Sequence, residues 1–426
     1  MRFSGFRLSF MVMVVLALTL SACISLKPTT SKAPASLVLY NPGKNFLHPQ
    51  YRIYHSKENE SVLFLKFLTS EVLFNQANAQ GKNLARLRIK YTLFSSLINN
   101  EVAKRDTQEV FIDRETVKEQ FTASVKIPTT PGKTYLLDIS IEDQIRGTEI
   151  RDRLLVDRFS PDHQQNWLVL SYPDNKVSFE HFFYPGESFR FINNNAPPEK
   201  IYISVFAPRN ALPLPPYSLD EPLDNAPFPD STFYMAYSEQ LLYKLGGQGI
   251  YVFHFKQDVA KGLCLTQFGG QYPQVSKPDD MLPPLQYLTT NEEYQKMVAN
   301  PDRKGVVDQY WLDKGKTFAN ARDLIRIYYN RIVFANLYFS SSKQGWNTDR
   351  GMIYVLLGPP KSVEKTETCE TWFYQTSETG EKITFEFNLT EDFWIGYDYK
   401  LHRKEEFRPI WNQAVDSWRR GKIFSL

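Results

Sequence analysis

Six histidines are spread along the chain at His48, His55, His163, His181, His254 and His402. Zinc hydrolysis of the helical type needs two of them four residues apart, and no two have that spacing. Each reads as a satisfied core or surface residue. Adjacent carboxylates stand at Asp279-Asp280, Glu292-Glu293, Glu391-Asp392 and Glu405-Glu406. Glycoside hydrolysis needs two carboxyl groups converging on one bond, whereas neighbours on a strand point to opposite faces, so none of these is by itself an acid/base pair. Asp279-Asp280 lies among prolines, and Glu292-Glu293 suits helix capping. No Gly-x-Ser-x-Gly nucleophile turn and no Gly-x4-Gly-Lys phosphate loop occur. Gly246-Gly247-Gln248-Gly249 reads as a turn between strands, because no helix follows. No metal or cofactor is expected, and the chain reads as leaning away from enzymes.

The elements that would position such residues follow from the chain's size and texture. At 426 residues it should hold two to four domains. Hydrophobic residues are 42% and charged residues 23%, which excludes wholesale disorder. Lys plus Arg is 50 against 47 acids, or 48 against 47 once Arg2 and Arg7 of the first 22 residues are removed. That balance gives no support to nucleic acid as the main partner, and none is expected. Arg403-Lys404 and Arg419-Arg420 are short basic pairs that read as solvated faces. The 24 Tyr, 31 Phe and 7 Trp favour β-rich cores.

Arg2 and Arg7 precede an apolar run from Phe10 to Leu20, too short to span a bilayer and flanked like a secretory signal. Leu20-Ser21-Ala22-Cys23 then resembles the lipobox of bacterial lipoproteins, which implies cleavage before Cys23 and acyl chains such as palmitate on it. Two or three such chains hold a protein on a membrane where a single one does not. Ile24 stands where an Asp would resemble the inner-membrane retention signal. Ser25 to Ser36 has no acidic residue, unlike the export signal of surface lipoproteins in Bacteroidetes-like bacteria. The resemblance therefore implies an outer-membrane lipoprotein on the periplasmic face, with residues 1–22 as signal and 23–44 as a lipidated tether. Cys264 and Cys369 remain for an oxidising compartment, either as a bridge between domains or as two free thiols.

From 45 to 160 the chain reads as short strands broken by turns. Ala85, Leu87, Ile89, Tyr91 and Leu93 alternate with Arg86, Arg88, Lys90 and Thr92, the period of a strand with one wet face. Val62–Phe67, Val72–Asn75, Gln108–Ile112, Phe121–Ile127 and Tyr135–Glu142 are further strands. A second series occupies 161–270, including Val177–Tyr184, Thr232–Tyr237 and Gly249–Phe255. Between them, prolines across 208–230 forbid a central strand. Two all-β immunoglobulin-like sandwiches are expected, then a Pro-rich linker at 271–288 and an α+β domain at 289–426. In that last part Thr290 and Glu293 form a capping-box signature, and helices are expected at Val306–Lys314, Ala319–Phe339 and Ile410–Arg420.

Gly345-Trp346-Asn347-Thr348-Asp349-Arg350-Gly351, followed by Met352 to Pro360, resembles the signature of the GWxTD-domain family, bacterial proteins of which many are secreted or lipid-anchored. Glu370-Thr371-Trp372-Phe373-Tyr374 and Phe385-Glu386-Phe387 fit the same pattern, and the resemblance covers about 285–426. It brings no catalytic residues. A helix ending in Leu-Gly-Pro before two aromatic strands also resembles the small outer-membrane lipoproteins of the SmpA/OmlA type. Physically, Thr348 caps a helix whose first turn holds Asp349, Gly358 ends it in a positive-φ conformation, and Pro359-Pro360 forbids its continuation. Gly345, Gly351, Gly358, Pro359 and Pro360 then serve the fold. Trp346, Thr348, Asp349, Arg350 and Trp372 are candidates for a binding groove. The expected function is a non-enzymatic scaffold that binds an envelope protein; the alternative is a protein that binds or hydrolyses envelope polysaccharide.

Overall fold

The alternation around Ala85 builds the first layer. In the computed structural model, which describes residues 37–75, 81–96, 101–194, 199–220, 228–257, 261–375 and 380–426, β3 (Leu84–Ser96) buries Ala85, Leu87, Ile89, Tyr91 and Leu93. Arg88 lies on the opposite face, 3.1 Å from Glu109 and 3.4 Å from Glu142. One sheet has the order β4-β3-β6-β7 and includes β4 (Glu101–Asp113), β6 (Thr134–Asp143) and β7 (Thr148–Asp157). The second has the order β1-β2-β5, from β1 (Gln50–Lys57), β2 (Glu60–Leu68) and β5 (Gln120–Pro128). All their pairings are antiparallel. A single cluster including Leu63, Leu65, Val125, Leu87 and Ile139 fills the space between the sheets. Val72–Asn75 is not a strand: the Leu73 amide is taken by the Asp143 carboxylate at 3.1 Å instead of a ladder.

The second β-body pairs β8 (Trp167–Ser171) with β9 (Phe189–Asn193), and orders a four-stranded sheet as β11-β10-β12-β13. These are β10 (Lys200–Phe206), β11 (Ser231–Ala236), β12 (Gly249–His254) and β13 (Leu263–Gln267). Its core is aromatic, with Trp167, Phe189, Phe191, Tyr243 and Phe253 in one cluster. Val177–Tyr184 makes only single bridges, Val177 to Leu170 and Phe182 to Thr266, instead of the expected strand. Residues 208–220 carry no strand, as the prolines require.

The C-terminal part is α+β. Helices α1 (Asn291–Ala299), α2 (Arg303–Gly315), α3 (Phe318–Phe339), α4 (Asp349–Leu357) and α5 (Arg408–Arg419) accompany a sheet ordered β14-β15-β16-β17. Its strands are β14 (Ser362–Lys365), β15 (Cys369–Gln375), β16 (Lys382–Asp392) and β17 (Gly396–Leu401). The capping box at α1 is formed: Thr290 Oγ1 accepts from the Glu293 amide at 3.2 Å, and Glu293 accepts from the Thr290 amide at 2.8 Å. The core packs Tyr328, Phe339 and Trp418 against Trp372, Phe385 and Phe387 of the sheet.

Two stretches expected as connectors belong to this core. The end of the expected tether docks on β14, where Leu37 and Val363 exchange backbone hydrogen bonds of 2.7 Å, and Leu37 and Leu39 are buried. Each buried leucine contributes about 1.5–3 kcal/mol toward holding the segment in place. The Pro-rich segment 271–288 likewise buries Tyr272, Leu285, Tyr287 and Leu288, partly through a 3-10 turn at Pro283–Leu288. Cys23 and the leader lie outside the described residues.

Candidate functional site

The segment Gly345–Gly351 folds as a 3-10 turn at Gly345–Asn347 leading into α4. Thr348 is the cap: its Oγ1 accepts from the Gly351 amide at 3.1 Å and donates to the Gly345 carbonyl at 2.8 Å. Both glycines are demanded by close approach, since a Cβ on Gly351 would stand 1.9 Å from the Gly345 oxygen and one on Gly345 2.0 Å from the Ala335 oxygen. The Trp346 amide donates to Asn336 Oδ1 of α3 at 3.1 Å, its carbonyl accepts from the Tyr287 hydroxyl at 3.0 Å, and its ring meets that of Tyr287 edge-on. Gly358 has φ of 87° at the end of α4, and Pro359-Pro360 follows without helix. This is the expected punctuation.

The two charged residues of the motif diverge. Asp349 accepts from the Leu401 amide of β17 at 2.8 Å and from Arg403 Nη1 at 3.2 Å. Arg403 in turn donates to the Leu214 carbonyl at 3.1 Å, tying the Pro-rich loop to the turn. Arg403 is thus nearly enclosed, a correction to its reading as part of a solvated face: the carboxylate and two backbone carbonyls replace its water. Arg350 turns to Glu370 at 3.4 Å, and its guanidinium lies over the rings of Tyr399 and Phe339 at 4.4 and 5.1 Å. Burial opposes its charge, but Glu370, with smaller help from Tyr40, Asp398 and Tyr399, outweighs burial and holds the guanidinium above its usual range. Glu370 is fully buried and also accepts from Trp372 Nε1 at 2.6 Å and the Tyr40 hydroxyl at 3.3 Å.

The structure therefore brings Arg350 and Trp372 together through Glu370, and sends Asp349 to Arg403 and Trp346 to Tyr287. All five groove candidates sit inside the fold with protein partners. Tyr287 and Met352 instead line a groove of about 590 Å³ between the loop Leu212–Pro215 and α5. Sequence reasoning missed Lys365, close to Glu370 in the chain, and Tyr40 and Asp152, which join this network from far along it. Lys365 Nζ lies 2.8 Å from Asp152 Oδ1 of β7 and over the Tyr40 ring. No local pattern announces a contact across such separations.

Cys264 and Cys369 are free thiols, so the candidate bridge is not made. Cys264 packs with Phe206, Val252 and Trp394, and burial pushes its thiol far up. Of the histidines, His55 lies 2.8 Å from Ser61 Oγ and His254 2.9 Å from Ser204 Oγ, both inside the β-bodies. Among the described residues, no three acid, His or Cys side chains cluster as metal ligands. A cavity that does gather two carboxylates and a tryptophan (Asp162, Glu391 and Trp394) holds about 60 Å³. That is room for about two waters, against roughly 300–1,000 Å³ for a ligand pocket. Its acids are occupied by Lys256 at 2.7 Å and Lys261 at 2.6 Å.

The outer surface offers a different feature. Among the described residues, strand β11 pairs with β10 alone; it has the sequence Ser-Thr-Phe-Tyr-Met-Ala with no charge and is exposed along nearly its whole length. Phe233 is 49% and Tyr234 62% exposed, and Phe228 just before it is 94% exposed. The edge strand β4, by contrast, carries Glu101, Lys104, Arg105, Asp106 and Glu109. Charges of that kind blunt an edge against pairing with another chain, and β11 has none.

Comparison with known proteins bears on the C-terminal part. Residues 249–420 match the family model described as the GWxTD domain, a match that begins at the first residue of β12. No curated protein matches the chain. Among solved structures, a glycosyl hydrolase family 2 member from Bacteroides cellulosilyticus aligns at 10% identity over 32% of this chain and 18% of its own, with a TM-score of 0.19, a likeness that supports no argument. Taken with the buried Gly-Trp-Asn-Thr-Asp turn and its two ion pairs, the match makes residues 249–420 a GWxTD domain.

Proposed function

We propose that this is a non-enzymatic, lipid-anchored protein of the outer membrane, facing the periplasm, whose β-rich body binds an envelope protein by strand addition at β11. One observation carries the binding half of this reading: an uncharged, exposed edge strand that bears Phe233 and Tyr234 and follows Phe228. An extended segment added to such an edge gains main-chain hydrogen bonds, and the exposed rings supply side-chain anchors. The anchoring half rests on Arg2, Arg7, the apolar run and Leu20-Ser21-Ala22-Cys23. The finer architecture belongs to the same proposal, with both β-bodies read as immunoglobulin-like modules that space the edge away from the anchor.

The GWxTD turn then serves as a structural hub. Its glycines, cap and ion pairs are consumed in holding α3, α4, β15 and β17 together. Metabolic labelling with a fatty-acid analogue tests the anchor: wild-type protein should be labelled and membrane-bound, and Cys23→Ala should be neither. An unlabelled wild-type protein that fractionates free of membrane contradicts the location.

A further inference from the structure

Arg52 of β1 is only 6% exposed, and its Nε and Nη2 have no hydrogen-bond partner. Its Nη1 lies 3.3 Å from His181 Nδ1. Glu180 favours its charge from nearby, but that carboxylate is itself paired with Lys66 at 2.6 Å. Burial draws the guanidinium down to about 10, which leaves it cationic at neutral pH. Burial, with Arg52 as a second cause, lowers His181 to about 3, so this neighbour stays neutral. His163 is also lowered, again first by burial. A buried cation with unfilled donors is costly, and such donors call for a partner, whether water, an ion or a ligand.

Arg52 lines a cavity of about 300 Å³ built from all three parts of the chain. Ile53 and Leu155 come from the first β-body, His163 from the connector, His181 from the second, and Ile395 from the C-terminal sheet's β16–β17 turn. The lining is mixed, with apolar side chains beside one cation. His163 Nδ1 accepts from the Gln165 amide at 3.3 Å, which leaves the proton of its neutral ring on Nε2 as a further donor. Ligand sites favour junctions of this kind, and the volume sits at the small end of their range of roughly 300–1,000 Å³.

We propose that this cavity binds a small organic monocarboxylate, its two oxygens taken by Arg52 and its short hydrocarbon body by Leu155 and Ile395. One guanidinium beside neutral imidazoles matches a single negative charge, and a planar carboxylate fits the guanidinium fork with two parallel hydrogen bonds. Inorganic phosphate carries more charge at neutral pH and has no use for the apolar walls. A ligand there would touch all three bodies at once.

The test is thermal melting and isothermal titration of the full chain with sodium hexanoate, 1-hexanol and inorganic phosphate. Hexanoate should raise the melting temperature in a dose-dependent way and titrate with one site per chain, while hexanol and phosphate should not. Arg52→Met should weaken hexanoate binding by about tenfold or more, the loss of a charge-assisted hydrogen bond of about 1.5–3 kcal/mol. Leu155→Trp, which fills the cavity with a larger side chain, should do the same and serves where Arg52→Met fails to fold. No binding of hexanoate up to its solubility, an equal effect of hexanol, an effect of phosphate alone, or unchanged affinity in the variants overturns the proposal.

Discussion

Lys365 of β14 and Asp152 of β7 form an ion pair of 2.8 Å across the boundary between the first β-body and the GWxTD domain, with both side chains nearly enclosed. Burial works against the lysine's charge, but Asp152, helped by Tyr40 and Glu370, holds it well above its usual range. Arg153, the next residue of β7, donates to the Lys365 carbonyl at 2.6 Å. Two charges withdrawn from water in this way fix one orientation of the two bodies, because a small displacement leaves both unpaired.

Lys365→Met leaves Asp152 enclosed without its cation and should cost about 3–5 kcal/mol. Replacing both residues by apolar ones of similar size should recover most of that loss. Urea denaturation of the single and double variants checks this; a double variant as unstable as the single one argues against the ion pair as the source.

Asp349→Ala removes the acceptor for the Leu401 amide and for Arg403. A loss of about 3–5 kcal/mol is expected from the stranded guanidinium, with partner binding through β11 intact in the folded fraction. Asp349→Asn keeps one acceptor oxygen and should cost less. Loss of binding at unchanged stability would instead place the motif in a recognition surface.

Gly351→Ala should prevent the C-terminal domain from folding, because the new methyl meets backbone at 1.9 Å, a wall that no rotamer change relieves. Near-ultraviolet circular dichroism and soluble yield report it. A native spectrum with normal yield contradicts the packing described.

Stability should fall as the pH drops below about 6.5. Burial lowers His55 to about 4 and His181 to about 3 in the folded protein, so the unfolded chain takes up protons first. Their contribution is complete above the ordinary histidine pKa of 6.5 and is lost as pH falls through the window down to the folded values. Glu293 acts lower: the Arg419 hydrogen bonds, against burial, hold it at about 2, so its share is present above 4.5 and lost below. His55→Gln should therefore shrink the difference in urea midpoint between pH 7.5 and pH 5, values chosen to bracket the unperturbed histidine range. An unchanged difference removes His55 from the account.

Local signals were legible and long-range ones were not. Thr290 with Glu293, Thr348 before Asp349, and Gly358 before two prolines each specify a helix end within four residues, and all three ends form as read. The alternation at Ala85 to Leu93 likewise gives β3 and its wet face. Tyr40 and Asp152 lie hundreds of residues from Glu370 and Lys365 or in another body, and no periodicity encodes such meetings. Arg403 looked solvated because a short basic pair usually is, and only the fold brings Asp349 to it. Val177–Tyr184 carries the residues of a strand but lacks a full-length neighbour to pair with. The missing charge on β11 was in plain view, but its position at a sheet edge was not.

Site-specific photocrosslinking in cells tests the central claim most directly. A photoreactive residue at Phe233 or Tyr234 should give the same envelope-protein adduct in repeated experiments, Phe111 on the charged β4 hairpin should not, and a Ser231→Lys change on the exposed edge should abolish the adduct without altering the melting temperature. Adducts equally abundant from Phe111, or a β11 adduct indifferent to Ser231→Lys, would show that this edge is not where a partner is held.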